Sequence, residues 1–302
     1  MQPLLPMSPI LVRELPQGED WRYQLKWDGF RTIAAVQDGR AALWSKQMLP
    51  KTAVYPELAA ALSRQHGSFV LDGEAVILEP GSGRPSFQLM QKRDKLQDPQ
   101  LIAQAAVQRP VQYVLFDLLY EDGEDLRGLP FEERNRRLRA LAADWGPPLY
   151  LADTFEDGEA LWNWVAEHGW EGVIAKRSGS LYRAGKDHAD WYKRKASFHY
   201  EALVVAVLYK EGRLSSLAMV REGRYFGRIS SGLNESAKAQ LARLDMSGRA
   251  ADYFPAGLPE GLRGADIRWL KQPLTVQVSG REVTEAGLLR QPKLQELEGI
   301  IR

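Results

Sequence analysis

At 302 residues the chain exceeds the usual ~100 to 200 residues per domain, so two domains are the default. Lys+Arg 40 against Asp+Glu 39 leaves a formal net charge of +1, which excludes an acidic solvating tail and a histone-like protein and makes any polyanion site a local one. With no Cys, disulfides, thiolate metal sites and cysteine nucleophiles are excluded together, and His66, His168, His188 and His199 lack metal-ligand spacing.

The N-terminal segment is broken by Pro3, Pro6, Pro9 and Pro16 and has no basic stretch, so no signal peptide is expected. No apolar run approaches the ~18 residues of a membrane span, and the expectation is a soluble, cytoplasmic protein. Period-two alternation predicts strands over residues 21–36 and 40–45, joined by a type I′ turn at Asp38-Gly39. Further strands are predicted over 69–78, 111–120, 171–176 and 191–195. Helices are predicted over 56–65, over 131–143 with Leu138 and Leu141 on one face, and over 157–168 with Leu161, Trp164 and Val165 inward and Gly169 as the stop.

After Ser197 come short predicted strands over 201–209, 216–221 and 224–229, a helix over 235–244 and a final strand pair over 268–271 and 274–279. Five short strands with one helix suit a small barrel such as the OB-fold. The fold class expected is α+β, an antiparallel-sheet domain over 1–197 followed by an OB-fold β-barrel over 198–302. Residues 199–302 carry 15 Lys+Arg and 12 Asp+Glu, a mild basic bias.

Charged residues interrupt the apolar strands at five places. Lys26-Trp27-Asp28-Gly29-Phe30-Arg31 runs from a strand into a loop; alternation places Lys26 and Asp28 on one face, and Gly29 allows close backbone approach to a ligand. Asp72-Gly73-Glu74 and Phe116-Asp117 bring carboxylates into otherwise apolar runs, where they need partners. The segment from Glu171 to Lys176 has a charge at each end, and Lys193 and Lys195 share a face ~7 Å apart, near the spacing of neighbouring phosphate oxygens. Charge gathered on one face points to a polyanionic ligand with a metal. Asp72, Asp117 and Lys176 stay open between ligand contact and buried ion pair. Trp191 is expected in the core, and His188 and His199 in loops.

KWDGFR, DGE, FD, EGVIAK and WYKRK, in that order, resemble motifs I, III, IIIa, IV and V of the covalent nucleotidyltransferases, the superfamily of ATP-dependent DNA ligases, RNA ligases and mRNA capping enzymes. The surrounding words, YQLKWDGFR, LDGEAVIL and WEGVIAKRSGSLY among them, are most similar to bacterial ligases of the ligase D type. The resemblance implies a DNA ligase that seals 3′-OH/5′-phosphate nicks through lysyl-AMP and DNA-adenylate, in DNA repair or end joining. Lys26 is then the nucleophile, with Lys193 and Lys195 on the α-phosphate and providing the cationic neighbourhood that deprotonates it. Glu74 and Glu171 hold Mg²⁺ or Mn²⁺. Phe116 stacks on adenine, Arg31 contacts ribose or phosphate, and Gln24, Leu25 and Lys176 complete the ATP contacts. The expected partner is nicked double-stranded DNA, with a Ku-like end-binding protein as recruiter, and the chain is expected to act as a monomer in the bacterial nucleoid.

Two segments depart from the family pattern. Where an Arg usually meets the nick 5′-phosphate, this chain reads Ser45-Lys46-Gln47-Met48, so Lys46 is expected to bind that phosphate without a bidentate fork. The motif VI tetrapeptide Arg-x-Asp-Lys, expected after Gln295, is missing, with Arg290 and Lys293 just upstream the candidate substitutes in the ATP-charging step. Two alternatives remain open on the sequence: an RNA ligase or GTP-using capping enzyme, and a nucleic-acid binding module with a degenerate nucleotide site.

Overall fold

The computed structural model describes residues 5–185, 188–284 and 286–297. The chain forms two compact units, Met1–Ala196 and Ser197–Arg302.

The first unit begins with β1 (Ile10–Leu11), β2 (Trp21–Leu25), β3 (Phe30–Gln37) and β4 (Arg40–Ser45). Asp38 and Gly39 have φ of 52° and 69°, the two positive values that a type I′ turn requires. Then follow α1 (Pro56–Ser63), β5 (Phe69–Val76), α2 (Phe87–Asp94), α3 (Pro99–Gln108), β6 (Gln112–Glu121), β7 (Glu124–Asp125), α4 (Phe131–Leu141), β8 (Leu149–Leu151), α5 (Gly158–His168), β9 (Gly172–Arg177) and β10 (Trp191–Lys195). One sheet runs β4-β3-β5-β6-β7 with β8 parallel to β6, and a second runs β1-β10-β9-β2. Alternation in β5 sends Phe69 and Leu71 to a core shared with Leu58 and Leu62 of α1 and Leu138 of α4. Val70 joins Ile33, Ala35 and Leu119 of the same sheet against Met7, Tyr182 and Trp191, a cluster that ties the first sheet to the second.

Two expectations for this unit are corrected. The strand expected over 21–36 is two strands of different sheets, and Lys26–Gly29 is the non-strand crossing between them, so alternation does not govern Lys26 and Asp28. Gly29 lines the cleft, and its missing side chain also makes room for the protein itself: a Cβ there would overlap the Ala75 carbonyl oxygen and the Val76 side chain. Trp164 is 38% exposed, because α5 buries Leu161 and Val165 and turns Trp164 outward to stack on His168 at 4.4 Å. Two helices went unread, α2 and α3, the latter capped by Asp98 with Pro99 at its first position. No helix among the described residues is long and apolar enough to cross a membrane.

The second unit is an antiparallel sheet in the order β13-β12-β11-β14-β15, built from β11 (Phe198–Lys210), β12 (Arg213–Arg221), β13 (Arg224–Ile229), β14 (Asp266–Gly280) and β15 (Lys293–Leu297). Its core gathers Val204, Val207, Leu217, Met219 and Val276 with Leu241 of α6 (Glu235–Leu241), which Asn234 caps; a short α7 (Ala250–Tyr253) precedes β14. The final strand pair expected over 268–271 and 274–279 is one strand. Both halves pair with β11, and Pro273, which has no amide to donate, falls within the register shift between Val204 and Ala206. His199 lies in β11 and not in a loop. The sheet is an open path among the described residues, with no closed barrel among them, although an isolated bridge pairs Ser231 with Lys293. The chain end read for motif VI continues into residues 298–302, outside the described residues.

Candidate active site

Both sheets of the first unit line a cleft of about 410 Å³. Gln24, Leu25, Lys26, Arg31, Lys46, Glu74, Phe116, Lys176, Lys193 and Lys195 all line it, although they come from six separate stretches of sequence. Glu171 meets it through its ion pairs.

Lys26 follows β2 directly, and its amide donates to the Gly172 carbonyl at 2.9 Å, fixing the chain as it leaves the sheet. Its Nζ lies 2.5 Å from Glu171 Oε2, and Lys195 Nζ lies 3.6 Å from Glu171 Oε1. The charge in direct contact with the Lys26 amine is thus a carboxylate, where the sequence suggested a cationic neighbourhood. Gly172 has φ 153°, and a Cβ there would overlap the Arg194 carbonyl oxygen, so β9 and β10 close up only with glycine. Alternation in β10 turns Lys193 and Lys195 to the cleft, while the Arg194 guanidinium sits 3.6 Å over the Trp162 ring.

Below lies a buried ionic layer. Arg31 meets both Asp72 oxygens at 2.5 and 2.6 Å and donates to the Met7 carbonyl at 3.1 Å; the Tyr182 hydroxyl donates to Asp72 at 2.6 Å and accepts from the Met7 amide at 3.1 Å. Arg134 meets both Asp117 oxygens at 2.7 and 3.0 Å, with both side chains fully buried. Asp72 and Asp117 are therefore buried ion pairs. Lys176 Nζ donates to the Phe116 carbonyl at 3.1 Å and lies 4.2 to 4.8 Å from the ring centroids of Trp191, Phe131 and Phe116. Burial pushes its pKa down to about 7 against the opposing pull of Asp117. Burial likewise pushes Glu74 up to about 8, although Lys26 and Arg31 act in the other direction. Trp191 is 1% exposed, a core residue as expected.

Gln24 is 2% exposed, and its Nε2 donates to Thr154 Oγ1 at 3.2 Å. Lys46 sits on a loop pinned by Ser45, whose Oγ accepts from the amides of Gln47 and Leu49 at 3.3 Å each. Sequence reasoning missed Thr154, Tyr182 and Arg134. The first two stand outside any strand, and Arg134 is one of several arginines in FEERNRRLRAL with no local mark of burial.

A family model described as the ATP dependent DNA ligase domain matches residues 9–195. The chain is 32% identical over 303 residues to the multifunctional non-homologous end joining protein LigD of Pseudomonas aeruginosa, which covers 95% of this chain and 34% of that protein. It is 34% identical over 288 residues to LigD of Mycobacterium bovis, covering 91% of this chain and 36% of the relative. The crystal structure of the ligase domain from M. tuberculosis LigD superposes with a TM-score of 0.57 at 32% identity, covering 98% of this chain and 95% of that one. The chain belongs to the ATP-dependent DNA ligase family. Its likeness over nearly its whole length is to the ligase domain of bacterial LigD, and it spans about a third of the LigD proteins it matches.

Proposed function

We propose that this chain seals 3′-OH/5′-phosphate nicks in duplex DNA through a covalent lysyl-AMP on Lys26. Lys26 Nζ attacks the α-phosphorus of ATP: an N–P bond forms, the bond to the β-phosphate oxygen breaks and pyrophosphate leaves. AMP then passes to the DNA 5′-phosphate, and the 3′-hydroxyl displaces it. The observation carrying this reading is the 2.5 Å contact between Lys26 Nζ and Glu171, inside a cleft that also presents Lys193 and Lys195. Glu171 is in place to take the proton that Lys26 must lose, and Lys193 and Lys195 to offset charge developing on the α-phosphate. Phe116 offers the base a ring, Arg31 and Lys176 flank that ring, and Lys46 receives the 5′-phosphate.

In this reading Glu74 and Glu171, both hard oxygen donors, would hold a Mg²⁺ or Mn²⁺ ion, which commonly takes one or two carboxylates with the remainder from phosphate. Bound there, the ion would neutralise the triphosphate. No cluster of three or more His, Cys, Asp or Glu suited to a metal occurs among the described residues; in this reading the nucleotide phosphates and water would supply the remaining donors. Residues 1–197 form the adenylation domain in this reading, and 198–302 an OB-fold; the five-stranded sheet and the Ser231–Lys293 bridge support the latter. The LigD relatives support a place in end joining, with a Ku-like protein as partner.

The test is incubation with α-labelled ATP and Mg²⁺ on a denaturing gel, followed by a nicked duplex. Covalent label that Lys26→Ala abolishes, and sealing by the wild type, are expected. Absence of label overturns the reading.

A further inference from the structure

Lys193 and Lys195 face the cleft, whereas Arg194 between them faces away and has an anchor of its own. β10 pairs with β9 along its whole length, from Trp191 to Lys195, but β1 runs beside it at Tyr192 and Lys193 and ends at Leu11. Behind the end that carries Lys195 lies a cavity of about 760 Å³, between residues 14–18 and the start of α5, with Tyr23, Gly158, Trp162 and Arg194 among its walls. No close-packed core backs the strand there, and a side-chain stack takes its place. The Arg194 guanidinium lies 3.6 Å from the centroid of the Trp162 ring, the shortest cation–ring distance among the described residues. Among those residues it makes no hydrogen bond and no ion pair; Glu14 and Glu159 act on it through space. The stack ties this end of β10 to α5, which Leu161 and Val165 seat in turn.

The backbone at Arg194 is coupled to the site. Lys195 is in register with Gly172, the Ala196 amide donates to the Glu171 carbonyl at 2.9 Å, and the Arg194 carbonyl occupies the space that a Cβ on Gly172 would need. A shift at residue 194 therefore passes to Lys195 and Glu171 together, whose charged groups meet at 3.6 Å. We propose that Arg194 is a positioning residue for nucleotidyl transfer, acting through its stack on Trp162 to hold Lys195 and Glu171 in register with Lys26. The inference rests on the lysyl-AMP reading above. Arg194 touches neither Lys26 nor the nucleotide; it sets where the groups that do so stand.

The test is single-turnover lysyl-AMP formation from α-labelled ATP with Mg²⁺, which gives a rate constant at saturating ATP and a fraction of protein labelled at completion. Arg194→Met keeps an unbranched stem and loses the planar cation. Its rate constant is expected to fall by about tenfold or more, towards the roughly hundredfold that a 1 Å misplacement can cost, with the labelled fraction at the wild-type level. Trp162→Leu is expected to fall equally and the double variant no further, because the two side chains act as one unit. Trp162→Tyr, which returns a ring face to the guanidinium, is expected to regain most of the rate. A merely structural role would lower the labelled fraction and leave the rate constant of the labelled molecules unchanged, and that result overturns the inference. Losses that multiply in the double variant, or no recovery in Trp162→Tyr, overturn it as well. A wild type that labels while Arg194→Met keeps its full rate overturns the inference alone, whereas a wild type that takes no label overturns the lysyl-AMP reading with it.

Discussion

Glu171 stands 2.5 Å from the amine of Lys26 and 3.6 Å from that of Lys195, so a single carboxylate joins the proposed nucleophile to the lysine pair of β10. Glu171→Gln keeps the shape and one acceptor but loses the charge. Lysyl-AMP formation is expected to fall by roughly a hundredfold or more, the usual range for a lost general base. Sealing of a pre-adenylated nick, which bypasses that proton transfer, should fall less. Unchanged self-labelling would remove Glu171 from the first step.

Lys46 offers the expected 5′-phosphate site a point charge from a loop held by Ser45. Lys46→Arg replaces it with a planar fork and should tighten binding to 5′-phosphorylated nicks by about 1 kcal/mol. A nick with a 5′-hydroxyl serves as the comparison. Equal gains on both substrates would move Lys46 from the phosphate pocket to the general DNA backbone.

Arg134 and Asp117 form a fully buried pair, and removing one partner strands the other charge. Arg134→Leu should cost about 3 to 5 kcal/mol in the unfolding of the first unit, measured in urea. A loss below about 1 kcal/mol would show that Lys176, 4.0 Å from Asp117, compensates the carboxylate unaided.

Lys176 makes stability depend on pH with a definite sign. Its pKa falls from 10.5 in the unfolded chain to about 7 in the fold. Between these values the unfolded state binds more protons, so this group makes stability rise with pH from about 7 to 10.5; below about 7 the cost of the buried charge is fully present. Lys176→Met should therefore gain most over wild type at low pH and lose that advantage as pH rises. Melting temperatures of both proteins across this range check it. Glu74, raised from 4.5 to about 8, acts with the opposite sign between those values, so the difference between the two proteins is the quantity to follow. A constant difference would contradict the assignment.

The cleft was legible because charged residues in apolar strands are conspicuous where burial is expected: Glu74 and Lys176 both line it. Less was legible about partners. Nothing local distinguishes Arg134 from its exposed helical neighbours, since its burial comes from Asp117 and Ser180, 17 and 46 residues away. Asp72 likewise looked as much like a ligand contact as an ion pair, because Arg31 and Tyr182 reach it from 41 and 110 residues away. Alternation also ran unbroken through Lys26–Gly29, since a chain that passes from one sheet to another keeps its extended pattern while changing neighbours. The last strand was read as two, yet both halves pair with β11, whose register shift lies opposite Pro273 and absorbs its missing amide.

Met7 ties the start of the described chain to the floor of the cleft. Its carbonyl holds Arg31, its amide meets Tyr182, and a few residues on β1 pairs with the strand that carries Lys193. These early residues act as a splint for the site. A fragment trimmed to begin after Leu11 would keep every motif yet lose the brace on both Arg31 and β10, and a bulky fusion abutting Met7 would press on the same brace. Boundaries for expression or for grafting this unit onto another protein are best set by that residue, well upstream of the first motif.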